Sequence, residues 1–124
     1  MPKKLLIVED EPALLKALAI KFAREKFEII TASDGEVGLE MALHEHPDLI
    51  LLDIIMPKMD GMTVLNRLRV DSWGKKVPVI ILTNLSDDAK VAEAIKQGTH
   101  DYLVKSDWDI GDVVMKVRNR LGMK

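Results

Sequence analysis

Four short polar stretches stand directly behind apolar runs, and their residue types could together handle a phosphoryl group. Glu9 and Asp10, with Glu11 behind them, follow residues 4–8; Asp53 ends the unbroken run of residues 48–53. Thr83 follows residues 77–82, and Lys105 follows residues 101–104. Taken singly, each is a helix cap, a solvated charge or a loop hydroxyl. Taken together they are three carboxylates, a hydroxyl and an ammonium at the ends of four strands. Carboxylates brought that close repel one another, and a divalent cation relieves the repulsion. Carboxylate and carbonyl oxygens with water suit magnesium or manganese. With metal and lysine drawing charge from the equatorial oxygens, a carboxylate can attack phosphorus in line, and the product is an aspartyl phosphate.

The elements that must position these residues alternate along the chain. Asp48-Leu49-Ile50-Leu51-Leu52-Asp53 reads as a strand buried on both faces, the pattern of a parallel sheet covered by helices. Met56-Pro57 stops it, since the residue before proline is biased away from helix, and Asp60-Gly61 supplies a turn and a helix start. Residues 4–8 form a first strand. Pro12 suits the first turn of a helix over 12–25, with Leu14, Leu15, Leu18, Ala19 and Phe22 on its inner face. Residues 27–32 form the second strand, and Ser33 with Glu36 reads as a capping box opening a helix to about His44. A third helix runs from about Gly61 to Val70, with Val64, Leu65 and Leu68 inward. Residues 77–82 and 101–104 are the fourth and fifth strands. Between them Ser86, Asp87 and Asp88 open a fourth helix that ends at Gly98. Asp107 or Asp109 caps a fifth, closing helix with Ile110, Val113, Val114, Val117 and Leu121 as its apolar stripe. Five strands alternating with five helices predict an α/β fold, and in a parallel sheet all strand-to-helix connections share one edge. That edge is where open α/β sheets hold their ligands.

Composition narrows the classes. The 124 residues fit one domain, 1–124, with a core that needs no staple. Cysteine is absent, which excludes disulfides, thiolate zinc and a cysteine nucleophile. A net charge of −2, from 18 basic and 20 acidic residues, gives no general footprint for nucleic acid. The opening Met1-Pro2-Lys3-Lys4 precedes too few apolar residues for a signal peptide or a membrane span, so the expected place is the cytoplasm. No stretch reads as a second domain for DNA binding or catalysis.

At these spacings the chain resembles the receiver domains of two-component response regulators, over residues 3–122. The motifs that carry the resemblance are the acidic cluster after the first strand, Asp53 with Met56-Pro57 and Asp60-Gly61 behind it, Thr83, and Tyr102-Leu103-Val104-Lys105. The resemblance implies a flavodoxin-like (βα)5 fold, a five-stranded parallel sheet in the order 2-1-3-4-5 with helices on both faces. It implies that Asp53 accepts the phosphoryl group. The metal, Mg2+ or Mn2+, would be held by Asp10, Asp53, the backbone carbonyl of Ile55 and, through water, Glu9. Thr83 and Lys105 would bind the phosphoryl group, with Thr83 and Tyr102 as the moving switch. The donor would be a histidine kinase or histidine phosphotransfer protein. The signal would leave through the face of the fourth helix, fifth strand and fifth helix toward an unknown downstream protein. No nucleic acid, membrane or enzymatic role falls to this domain, which would be a monomer or a phosphorylation-dependent dimer.

Departures from the family pattern are informative. Lys105 is followed by Ser106 in place of the usual proline, so a trans peptide is expected there. Asn84 replaces a small residue after Thr83, and Ile55 and Leu85 are bulky and apolar where an attacking water would approach. Three other readings compete. A receiver-like module could bind partners without phosphorylation. A phosphohydrolase with an aspartate nucleophile would want a second aspartate at position 55, where Ile55 stands. A flavin module would want a phosphate loop after the first strand, where Glu9-Asp10-Glu11-Pro12 would repel phosphate. His44, His46 and His100 lack metal or triad spacing and read as surface or helix-end residues. The methionines read mainly as core filler, with Met56 and Met59 near the site, and Trp108 reads as packing on the closing helix.

Overall fold

A computed structural model describes residues 2–54, 56–83, 101–104 and 109–123, with Thr83 and 101–104 described by their backbone alone. The predicted fourth helix lies outside the described residues, as do Ile55, Asn84, Leu85, Lys105, Ser106, Trp108 and His100.

The strands are β1 (Lys4–Val8), β2 (Glu28–Ala32), β3 (Leu49–Asp53), β4 (Val79–Thr83) and β5 (Asp101–Val104). The helices are α1 (Pro12–Arg24), α2 (Gly35–Glu45), α3 (Gly61–Arg69) and the closing helix Ile110–Arg120. All pairings are parallel: β1 lies between β2 and β3, β4 follows β3, and the short β5 runs along β4. The α/β reading and the parallel sheet therefore hold.

Alternation along the strands explains why the runs are apolar throughout. Leu6, Val8, Ile50, Leu52, Val79 and Ile81 face one layer, with Leu39 and Ala42 of α2 and Val64, Leu65 and Leu68 of α3. Leu5, Ile7, Leu49, Leu51, Ile80 and Leu82 face the other, with Leu18 and Phe22 of α1 and Val113, Val114 and Val117 of the closing helix. The inner strands β1, β3 and β4 are covered on both sides, so neither parity of position suits a polar residue there, whereas the edge strand β2 leaves Glu28 and Thr31 exposed. Burying a side chain of this size contributes about 1.5–3 kcal/mol.

Three of the described helices, α2, α3 and the closing helix, are capped by carboxylates. Asp60 Oδ1 accepts the Thr63 N–H at 2.8 Å and caps α3. Asp109 caps the closing helix and exchanges hydrogen bonds with Asp112, so of the two candidate caps Asp109 is the one used. At α2 the expected Ser33–Glu36 box does not form. The cap is Asp34, whose Oδ1 accepts the Val37 N–H at 2.9 Å. A carboxylate adds attraction to the helix dipole that a serine hydroxyl lacks. Pro12 occupies the start of α1 as expected.

Two strands begin later than their apolar runs. Phe27 lies before β2 and packs edge-on against Phe22, with ring centroids 5.3 Å apart, after Lys26 turns the chain at φ 74. Val77 lies before β4, and its carbonyl accepts from Arg69, which also holds the Gly74 carbonyl. Burial pushes the Arg69 guanidinium below its ordinary pKa, and nearby Arg120 adds to the shift.

Candidate functional site

Register brings the carboxylates together. Val8 of β1 pairs with Leu52 of β3, so Glu9 and Asp53 are each one step beyond the same pair on adjacent strands. Glu9 continues the β1 ladder, its N–H bonded to the Ala32 carbonyl at 3.0 Å. Asp53 is the last residue of β3 and pairs with Leu82. Asp10 follows at the open end. One carboxylate oxygen from each of Glu9, Asp10 and Asp53 lies within 4.8 Å of the others, at the carboxyl edge of the sheet.

The three differ in setting. Glu9 is fully buried and Asp53 is 4% exposed, whereas Asp10 is exposed. Glu9 Oε2 accepts the Glu11 N–H at 3.0 Å, so this carboxylate also folds the turn into α1. Two buried carboxylates against a third need compensating positive charge, because desolvating them is otherwise unfavourable. The donor set is all oxygen, and its spacing matches ligands around one hard divalent cation. These residues therefore fit magnesium or manganese.

The segment leaving Asp53 is held on two sides. On one, the Gly61 N–H donates to the Ile54 carbonyl at 2.7 Å. A Cβ at Gly61 would collide with the Asp53 carbonyl oxygen, so only glycine lets α3 start this close. On the other, Lys58 takes φ 67 while the Met59 N–H bonds the Pro57 carbonyl at 2.7 Å, the signature of a γ-turn. Met56 is buried, and Met59 packs partly against the α2–α3 core layer.

Of the other expected site residues, Thr83 ends β4 and its backbone pairs with Val104, while Tyr102 pairs with Ile81. β5 therefore brings Val104, and the chain leading to Lys105, to the same edge as Asp53. Ile55 and Lys105 themselves lie outside the described residues. His44 is in the last turn of α2, and His46 caps it in the left-handed region, stacked on Trp73 at 4.4 Å. Neither joins the site, as their spacing implied. Asp34 and Lys58 flank the Asp53 loop with Asp34 Oδ2 3.7 Å from Lys58 Nζ, a pairing across two elements that carries no local sequence signal.

Residues 5–118 match the family model described as the response regulator receiver domain. The chain belongs to that family. It is 37% identical over 120 residues to the response regulator PleD of Caulobacter vibrioides, covering 97% of this chain and 26% of PleD. It is 36% identical over 118 residues to the DNA-binding dual master transcriptional regulator RpaA of Synechocystis, covering 95% of this chain and 48% of RpaA. The chain thus spans between a quarter and a half of these relatives' lengths. Among solved structures, a chain of the CheX–CheY–BeF3–Mg2+ complex from Borrelia burgdorferi superposes with a TM-score of 0.88 at 32% identity. That match covers 98% of this chain and 90% of that one. The fold is the flavodoxin-like α/β receiver fold, and the family's role is phosphorylation-dependent signalling in two-component systems, with magnesium and phosphoaspartate its typical chemistry. Among the described residues no helix is long and apolar enough to cross a membrane.

Proposed function

We propose that the chain is a phosphorylation-dependent switch that accepts a phosphoryl group on Asp53 from a histidine kinase or histidine phosphotransfer protein. One observation carries the reading: the β1–β3 register sets Glu9 beside Asp53, with Asp10 completing a carboxylate cluster at the edge where all strand exits converge.

Asp10, Asp53 and the Ile55 carbonyl would hold the cation, with Glu9 acting through water. The cation, when bound, supplies positive charge that offsets the phosphoryl oxygens. An Asp53 carboxylate oxygen forms the new bond to phosphorus as the bond to the donor imidazole nitrogen breaks. Lys105 draws on another phosphoryl oxygen through its ammonium, and the Thr83 hydroxyl donates to a third. Movement of Thr83 toward the phosphoryl group would let Tyr102 turn inward and alter the face of residues 86–98, β5 and the closing helix. An unknown downstream protein reads that face, and the domain itself works in the cytoplasm without contacting nucleic acid or membrane, as a monomer or a phosphorylation-dependent dimer. The similar chain from Borrelia, which belongs to a CheX–CheY assembly with BeF3 and Mg2+, supports a protein partner and a metal-linked phosphoryl site. It is not an enzyme on this reading, since Ile55 stands where an aspartate-nucleophile hydrolase keeps its acid.

Intact-mass measurement after incubation with a small phosphodonor and magnesium tests the reading. One phosphoryl addition, lost on chelation, is expected. A full addition with chelator present contradicts the metal's part in it.

A further inference from the structure

We infer that Asp34 and Lys58 are positioning residues that fasten the loop behind Asp53 to the start of α2, an inference resting on the reading of Asp53 as acceptor with a bound cation. Asp34 is a buried carboxylate with two tasks. Its Oδ1 caps α2 through the Val37 N–H at 2.9 Å, and its Oδ2 faces Lys58 Nζ at 3.7 Å. Lys58 occupies the left-handed backbone region at φ 67, where glycine would be unstrained. The ammonium's partner is the residue that caps α2. Next to the pair, Gly35 is pressed on Met59 so closely that a Cβ would run into the Met59 carbonyl and lie 3.1 Å from the Met59 Cβ. Helix and loop therefore meet through an ion pair and a backbone contact side by side. The far end of the same loop is tied to α3 by the Gly61 to Ile54 bond at 2.7 Å. In sequence, residues 55–57 separate these two ties, and the proposed function assigns the Ile55 carbonyl to the cation. The α2 tie holds the loop at Lys58 and Met59.

Lys58 is 64% exposed along its side chain, so its replacement leaves the core intact. Its charge also makes the alternatives separable. If Lys58 acts only through its field, removing a positive charge from the loop behind Asp53 tightens Mg2+ binding. If it positions the loop, removal weakens binding.

The test is calorimetric titration of the chain with Mg2+ at fixed salt. Lys58→Met is expected to weaken Mg2+ binding about two- to fivefold, the range for a partly exposed ion pair. Lys58→Arg restores it. Asp34→Asn, which keeps a capping oxygen, weakens binding by a similar factor, and the double variant adds nothing further. Tighter or unchanged binding in Lys58→Met, or additive losses in the double variant, overturns the inference. A parent chain that takes up no Mg2+ overturns the metal-site reading instead.

Discussion

Replacing Gly61 by alanine reverses the usual sign of that substitution. Gly→Ala at a helix start ordinarily stabilises by up to about 1 kcal/mol, because the unfolded chain loses freedom. At Gly61 the added carbon would lie 2.8 Å from Ile54 Cα and closer still to the Asp53 carbonyl oxygen. Unstrained carbon contacts sit near 3.5 Å, so α3 or the loop must retreat by about 1 Å. Both obstacles are backbone, which cannot swing aside as a side-chain tip can. Overpacking of this kind costs roughly 1–3 kcal/mol, which outweighs the entropic gain. The retreat also breaks or stretches the 2.7 Å bond from Gly61 to Ile54 and displaces the main chain of the acceptor. Misplacing a reacting group by about 1 Å can reduce rate on the order of a hundredfold. Urea unfolding and the initial rate of phosphoryl uptake from a small phosphodonor, measured on the same preparation, check both parts. An alanine variant with the parent's midpoint and the parent's rate would refute the reasoning.

Asp60→Ala, which removes the cap on the Thr63 N–H, should cost about 1 kcal/mol in chemical unfolding, and Asp60→Asn should recover most of it. Leu51→Ala, at a fully buried position on the α1 side of the sheet, should cost roughly 2–5 kcal/mol by the same assay. Asp10→Ala should weaken Mg2+ binding at least about tenfold in calorimetry, which is a loss of about 1.4 kcal/mol. Ile55→Asn with Leu85→Lys should speed loss of the phosphoryl group by at least about tenfold, since excluding one positioned water needs only about 1.4 kcal/mol of barrier; decay at fixed magnesium and pH reads this directly.

The inner strands were legible because burial on both faces leaves no room for alternation, and the carboxylates at their exits were legible because a parallel sheet sends every such exit to one edge. Register then did what the sequence pattern implied, placing Glu9 and Asp53 beyond the Val8–Leu52 pair. Helix starts were less secure. Ser33, Asp34 and Gly35 offer two caps one residue apart, and the choice fell to Asp34, whose carboxylate also meets Lys58. That second contact joins residues on different elements and leaves no periodic trace. Gly61 reads as a turn residue and Gly35 as part of a helix start, yet their smallness matters because the Asp53 and Met59 carbonyls lie against them. Strand beginnings at Phe27 and Val77 were blurred for a similar reason. An apolar side chain can enter the core from a turn as readily as from a strand, and only pairing tells the two apart.

Asp53 as sole acceptor is the central claim, and intact-mass analysis of the parent beside Asp53→Asn tests it most directly. Both are incubated with the same small phosphodonor and magnesium, and folding is matched by their unfolding curves. The parent should gain one phosphoryl group and Asp53→Asn none. Equal gain in the two proteins would place the phosphoryl group elsewhere and contradict the account.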